Sequence, residues 1–186
     1  VGGAGGPTGH FVRLPGQAQH RRERITAGHK FTCVVLFDGS GQCFGSGANG
    51  RLGYGDTQSR GHFPGSTADS GGAVPLAGTG FALFLAVGRS HSCVILSDSR
   101  LTCWGANSLG QLGVGTTVSV GATDTTTAWP TTPTVAGAGV AHISLGDSHS
   151  CALLSTGQVQ CWGAGGNGRL GYGDTVTRGN APGNLA

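Results

Sequence analysis

The sequence predicts an all-β fold built from three copies of one small antiparallel unit. Three observations predict it: a long internal repeat, cysteines paired at one fixed spacing, and turn residues that fall where that pairing needs them. Laying Cys33, Cys93 and Cys151 over one another brings Cys43, Cys103 and Cys161 into register. Gly45, Gly105 and Gly163 then align, as do Leu52, Leu112 and Leu170, and Gly53, Gly113 and Gly171. The period is 93 − 33 = 60 residues and then 151 − 93 = 58. A repeat of that length marks a supersecondary unit that cannot bury its own apolar face, so neighbours must stack to make a core.

Each unit opens with a short strand ending in glycine: Ile25 to Gly28, Leu85 to Gly88, Ile143 to Gly146. A hairpin follows. If Cys151 lies opposite Cys161, residues 152, 153 and 154 pair with 160, 159 and 158, and Ser155-Thr156-Gly157 is left as a three-residue loop. Such a loop wants a left-handed residue in its last place, which is where glycine stands. Repeat one has Phe37-Asp38-Gly39 there, again with glycine last. Repeat two has Ser97-Asp98-Ser99, so its turn should be strained or differently shaped. Turn chemistry and cysteine spacing thus select one register. The cysteine-bearing face carries Val35, Ile95, Leu101, Leu153 and Val159. The opposite face mixes Val34, Leu36, Val94, Leu96 and Leu154 with Gln42, Arg100, Gln158 and Gln160. Both faces are partly apolar, which predicts that each sheet packs between two others.

After each hairpin come an aromatic and a glycine, Phe44-Gly45, Trp104-Gly105 and Trp162-Gly163, and then a glycine-spaced turn. In repeats one and three that turn is nearly identical, Asn49 to Thr57 against Asn167 to Thr175. Nothing in it reads as a phosphate-binding loop followed by lysine, and the one lysine is Lys30, so no nucleotide cofactor is expected. It reads as a packing element: leucine to the core, glycines at positive φ, aspartate or threonine bonding the backbone.

The units run 25–84, 85–142 and 143–186, preceded by a glycine-rich arm over 1–24, and a Thr/Pro-rich segment occupies 116–134. The arm ends in a small basic cluster, His20 to Arg24, read as a solvated lead-in to the first strand. Over 186 residues, eleven basic against eight acidic side chains give +3, too weak a balance to imply a nucleic-acid partner. The 38 glycines are about three times the usual ~7% share, and their fixed places mark turn chemistry rather than disorder.

All six cysteines fall into three pairs, Cys33 with Cys43, Cys93 with Cys103 and Cys151 with Cys161, and no C-x-x-C knuckle suggests zinc. The even, fully paired set reads as disulfides, hence an extracellular or cell-surface location; the alternative is buried free thiols in a reducing compartment. The chain has no methionine, which suggests a processed or partial product, so a missing signal peptide does not argue against secretion. The longest apolar run, Phe81 to Val87, is far too short to span a membrane. No N-x-[ST] sequon occurs. Thr123, Thr125, Thr126, Thr127, Thr131, Thr132 and Thr134 are candidate O-glycosylation positions, or part of a plain polar loop.

Gly88 with His91-Ser92-Cys93, Gly146 with His149-Ser150-Cys151, hairpins ending in Cys-Trp-Gly, and Gly-Gln-Leu-Gly or Gly-Arg-Leu-Gly-Tyr-Gly-Asp-Thr recur together in order. In this the chain resembles the RCC1 (regulator of chromosome condensation) repeats over about Ile25 to Thr175. The resemblance implies a β-propeller, here partial, since the family usually has seven blades. It departs in having three units, cysteines at paired hairpin positions, and Phe31 where the other units carry His91 and His149. The guanine-nucleotide exchange and light sensing known in the family do not carry over, because their insertion and tryptophan cluster are not matched by this chain, whose tryptophans are Trp104, Trp129 and Trp162.

The residues point away from an enzyme. A His-Ser dipeptide does not set a base against a nucleophile, and periodic histidines are expected to bond backbone between blades. Glu23 is the one glutamate, and His29, His62 and His142 have no metal-ligand spacing, so no catalytic, metal or cofactor site is assigned. Propellers close with roughly four to eight blades, and three units need something to cover their open edges. The first reading is an extracellular structural subunit that assembles with copies of itself or another chain into a fibre. The alternative is part of a propeller-type protein- or glycan-binding module, and an intracellular GTPase or chromatin regulator comes third.

Overall fold

A computed structural model of the chain describes residues 24–63, 66, 72–76, 80–123 and 139–185. The arm before Arg24, and Thr125, Thr126, Thr127, Thr131, Thr132 and Thr134, lie outside them, while Thr123 is exposed.

Among the described residues nine strands form three separate antiparallel sheets in chain order: β1 (Arg24–Ala27), β2 (Phe31–Val35) and β3 (Gly41–Gly45); β4 (Ala82–Val87), β5 (His91–Leu96) and β6 (Leu101–Gly105); β7 (Val140–Leu145), β8 (His149–Leu154) and β9 (Val159–Gly163). The chain then returns to add one rung beside each third strand, Gly45 with Arg60, Gly105 with Val120 and Gly163 with Arg178. Strands β4 and β7 start earlier than their apolar runs indicate, each with an irregularity near its beginning, between Ala82 and Phe84 and between Val140 and His142.

Within each hairpin the cysteines face one another in register. Their sulfurs lie at bonding distance, 2.08, 2.11 and 2.14 Å. Closing so short a loop contributes at most about 3 kcal/mol by the chain-entropy argument, so the bridges fix register more than they create stability. The three turns have one shape. Gly39, Ser99 and Gly157 take φ of 83°, 65° and 86°, and each donates its N–H to the carbonyl three residues back at 2.9 Å. Repeat two therefore keeps the turn and places a serine in the left-handed region to do so.

The sheets stack in one direction. The cysteine-bearing front face of the first, with Phe31, Cys33, Val35 and Cys43, packs on the back face of the second, with Leu85, Val94, Leu96 and Trp104. The front face of the second, Cys93, Ile95, Leu101 and Cys103, packs on the back of the third, Ile143, Ala152, Leu154 and Trp162. Among the described residues, only the middle sheet is covered on both sides, which narrows the expectation that every sheet would be. On the back of the first sheet Ile25 is 74% exposed, against 2% and 1% for its counterparts Leu85 and Ile143. On the front of the third, Leu153 and Val159 are 41% and 63% exposed, against 3% and 1% for Ile95 and Leu101.

Candidate functional site

The chemistry of this chain is concentrated where one unit meets the next. After Leu52 or Leu112 turns into the core, the preceding residue is left with its carbonyl aimed at the following unit. The Arg51 carbonyl accepts from Ser92 Oγ at 2.9 Å and from Trp104 Nε1 at 3.0 Å. At the next junction the Gln111 carbonyl accepts from Ser150 Oγ at 2.8 Å and Trp162 Nε1 at 2.9 Å. Both tryptophans and both serines are fully buried, where an unmet donor would cost about 1–3 kcal/mol. The indole needs room, and glycine provides it: a Cβ on Gly53 would sit 2.7 Å from Trp104 Nε1, and one on Gly113 would sit 2.7 Å from Trp162 Nε1.

His91 joins the second junction. Its Nε2 lies 3.0 Å from Ser150 Oγ, a hydroxyl of the next unit, so the expectation of a histidine bonding backbone is corrected to a histidine bonding a side chain. Because the Ser150 proton is engaged by the Gln111 carbonyl, the network assigns the imidazole proton to Nε2, which donates to Ser150. The pair resembles a base beside a nucleophile but runs the other way: the serine receives a proton donor and both residues are sealed from solvent. Burial, and then the neighbouring His149, push the His91 pKa down to about 4. Its Nδ1 is buried without a partner, as is Nδ1 of His149. At the first junction Phe31 takes this place with the Arg51 guanidinium 5.8 Å from its ring, so the histidine is replaced by an apolar filler.

The repeated Gly-Arg-Leu-Gly-Tyr-Gly-Asp-Thr turn packs as the sequence indicates, and extends further. Leu52 and Leu170 are buried, and Asp56 accepts the Gln58 N–H at 3.0 Å. Asp56 also takes both arms of Arg60, at 3.0 and 2.9 Å, and Asp174 takes those of Arg178 at 2.9 and 2.8 Å. Each arginine lies over a tyrosine ring, Tyr54 or Tyr172, whose hydroxyl straddles the strand backbone at the second cysteine, Cys43 or Cys161. The Arg60 guanidinium holds the Asp56 carboxyl below its usual range, and burial raises the Tyr54 phenol. The shared spacing Asp-Thr-x-x-Arg was the signal for these arginines, lying just past the aligned turn. His29, His62 and His142 are not brought together; His62 lies tilted against Phe63 and His142 against Phe84. No group of three potential metal ligands converges among the described residues.

Short antiparallel sheets stacked front to back, each handing an indole and a hydroxyl to the unit before it, define a partial β-propeller. Its units match RCC1 repeats, and three such units fit the chain. The family description "Regulator of chromosome condensation (RCC1) repeat" matches residues 84–111, 140–169 and 98–153, and the first unit follows the same strand register. The chain is similar to the ultraviolet-B receptor UVR8 of Arabidopsis thaliana, 26% identical over 95% of this chain and 37% of that protein. It is 27% identical to the human E3 ubiquitin-protein ligase HERC2 over 94% of this chain and 4% of the ligase. It is 33% identical to the mitochondrial RCC1 domain-containing protein RUG3 of Arabidopsis over 66% and 26%. Among solved structures, human WBSCR16 superposes with a TM-score of 0.66 at 19% identity, over 88% of this chain and 40% of that one. Prp20p of Saccharomyces cerevisiae superposes at 0.54 and 20%, over 81% and 32%. The chain thus spans less than half the length of each of these relatives.

Proposed function

We propose that this chain is the disulfide-braced part of a propeller-type protein-interaction module, and that it works by packing its uncovered end faces on other polypeptide. The observation that carries this is the front face of the third sheet, where Leu153 and Val159 stand exposed in positions that are sealed one unit earlier. Exposed apolar surface of this kind marks an interaction site. Yeast RCC1 was solved bound to Kap60, and Prp20p was studied for binding to Gsp1p and histones, so proteins that carry this fold bind other polypeptides. Full pairing of the six cysteines supports an oxidising, extracellular or cell-surface setting, and the threonine-rich run beginning at Thr123 supports O-linked sugar there.

A second reading is a fibre-forming subunit, in which the exposed back face of the first sheet, with Ile25, meets the front face of the third sheet of another copy. Light scattering of the oxidised chain over a hundredfold range of concentration separates the two. The module reading predicts a mass that stays near one chain, whereas steady growth with concentration supports the fibre and removes the module. Intact mass before and after reduction and alkylation reads the three bridges and any added glycan in the same sample.

A further inference from the structure

The junction between units has a fixed inventory, and the third unit holds one complete half of it with no described residue opposite. The Arg169 carbonyl, equivalent to those of Arg51 and Gln111, accepts no hydrogen bond among the described residues. Gly171 has an empty slot where Gly53 and Gly113 abut an indole: a Cβ there would meet nothing within 4 Å. A Cβ on Gly28 or Gly88 would lie 2.5 Å from the Gly88 or Gly146 carbonyl of the next unit, whereas the nearest atoms to one on Gly146 are those of the His149 ring, in its own unit. Among the described residues His149 makes no side-chain bond of the kind His91 makes with Ser150. Leu153 and Val159 complete the surface with exposed apolar area.

We infer that the front face of the third unit is a socket for a tryptophan-bearing RCC1-type hairpin, one that presents a hydroxyl before its first cysteine position and an indole after its second. The assignment rests on the interaction-module reading and names its partner. What selects that partner is visible at the opposite end of the chain. The first unit has the apolar back face for the same contact, Ile25, Val34 and Leu36, and a hydroxyl in Thr32, but Phe44 stands where Trp104 and Trp162 stand in the other units. A second copy can therefore cover Leu153 and Val159 while leaving the Arg169 carbonyl and the Gly171 slot without an indole. Thr32 can still donate to that carbonyl as Ser92 and Ser150 do, but the indole bond and its packing in the Gly171 slot are lost, so the chain's own first unit is a poor plug for its own third. The socket carries its specificity in Arg169, Gly171 and His149, and the first unit lacks the complementary residue.

The test converts that poor plug into a good one in the full-length oxidised chain. Phe44→Trp, alone and with Thr32→Ser, gives the first unit the missing donor, and sedimentation velocity measures end-to-end association. Association should tighten at least tenfold over the unaltered chain. Gly171→Val, which fills the indole slot, should return it to the starting value in the Phe44→Trp background. Because Gly171 has a positive φ, Val159→Glu provides a second block on an exposed strand position, and it should have the same effect with the thermal unfolding curve unchanged. No tightening by Phe44→Trp, or tightening that survives both blocks, overturns the assignment. If the unaltered chain already polymerises, the module reading fails, and the socket is still judged by whether the indole strengthens that polymer.

Discussion

The indole Nε1 of Trp162 donates to the carbonyl of Gln111, 2.9 Å away and 51 residues earlier in the chain. Trp104 makes the same bond to Arg51 at 3.0 Å. A side chain whose place in the sequence marks the end of one hairpin is thus the fastener of the preceding unit. It couples stacking of the sheets to satisfaction of a buried carbonyl.

Trp162→Phe keeps an aromatic ring and removes the donor. Ser150 still reaches the same carbonyl, so the loss falls in the range for one buried hydrogen bond plus a modest cavity, about 1–2 kcal/mol. Urea unfolding of the variant should show a lower midpoint. The reverse change, Phe44→Trp, should leave the stability of the isolated chain within about 0.5 kcal/mol of the unaltered protein, because no carbonyl among the described residues stands opposite it as Arg51 stands opposite Trp104.

His91 makes stability depend on pH. In the folded chain it stays neutral until about pH 4, whereas the unfolded chain takes up the proton near 6.5. Between these values the unfolded state binds more protons, so stability falls as the pH drops through that window, by of order 3 kcal/mol, and the loss levels off below it. His149 is shifted the same way, chiefly by burial. His91→Phe, copying Phe31 of the first unit, should flatten most of this slope in unfolding curves taken from pH 7 to pH 4. An unchanged slope would show that His91 is not the group being protonated.

Ser99 holds a left-handed turn position where the other two repeats have glycine. Ser99→Gly should stabilise the chain by about 0.5–1 kcal/mol, relief of backbone strain exceeding the added freedom of the unfolded state. Differential scanning calorimetry should show a raised Tm; a lowered one would mean that the serine side chain holds the turn.

The three disulfides differ in cover. Cys33, Cys43, Cys93 and Cys103 are sealed between sheets, while Cys151 lies on the uncovered front face and is partly exposed. Reductant added to the native protein should therefore open Cys151–Cys161 first. Timed reduction, alkylation and peptide mass mapping should find label there before either other pair, and early label at Cys33–Cys43 would place solvent where the stack puts apolar side chains.

The hairpins were legible because their determinants are local: ten-residue cysteine spacing and Gly39 or Gly157 fix one register without reference to the rest of the chain. The leucine-to-core turn was legible for the same reason, since Leu52, Leu112 and Leu170 recur with it. The junction was not. Its acceptors are the backbone carbonyls of Arg51 and Gln111, which leave no mark on residue identity, and its donors lie 39 to 53 residues away. Phe31 stood out as a departure from the repeat and Phe44 read as the shared aromatic, but the meaning of either needs the neighbouring unit's geometry. The direction of stacking, which leaves one end with a back face and the other with a front face, also follows only from which sheet covers which.

Hydrogen exchange of the Trp104 and Trp162 indole N–H protons, followed by NMR on the oxidised chain with Trp104→Phe and Trp162→Phe used to assign them among its three indoles, measures the junction directly. The fastening of each unit to the one before predicts that the Trp104 and Trp162 indole protons both exchange far more slowly than a solvent-exposed indole. Exchange of both at the free rate would contradict it.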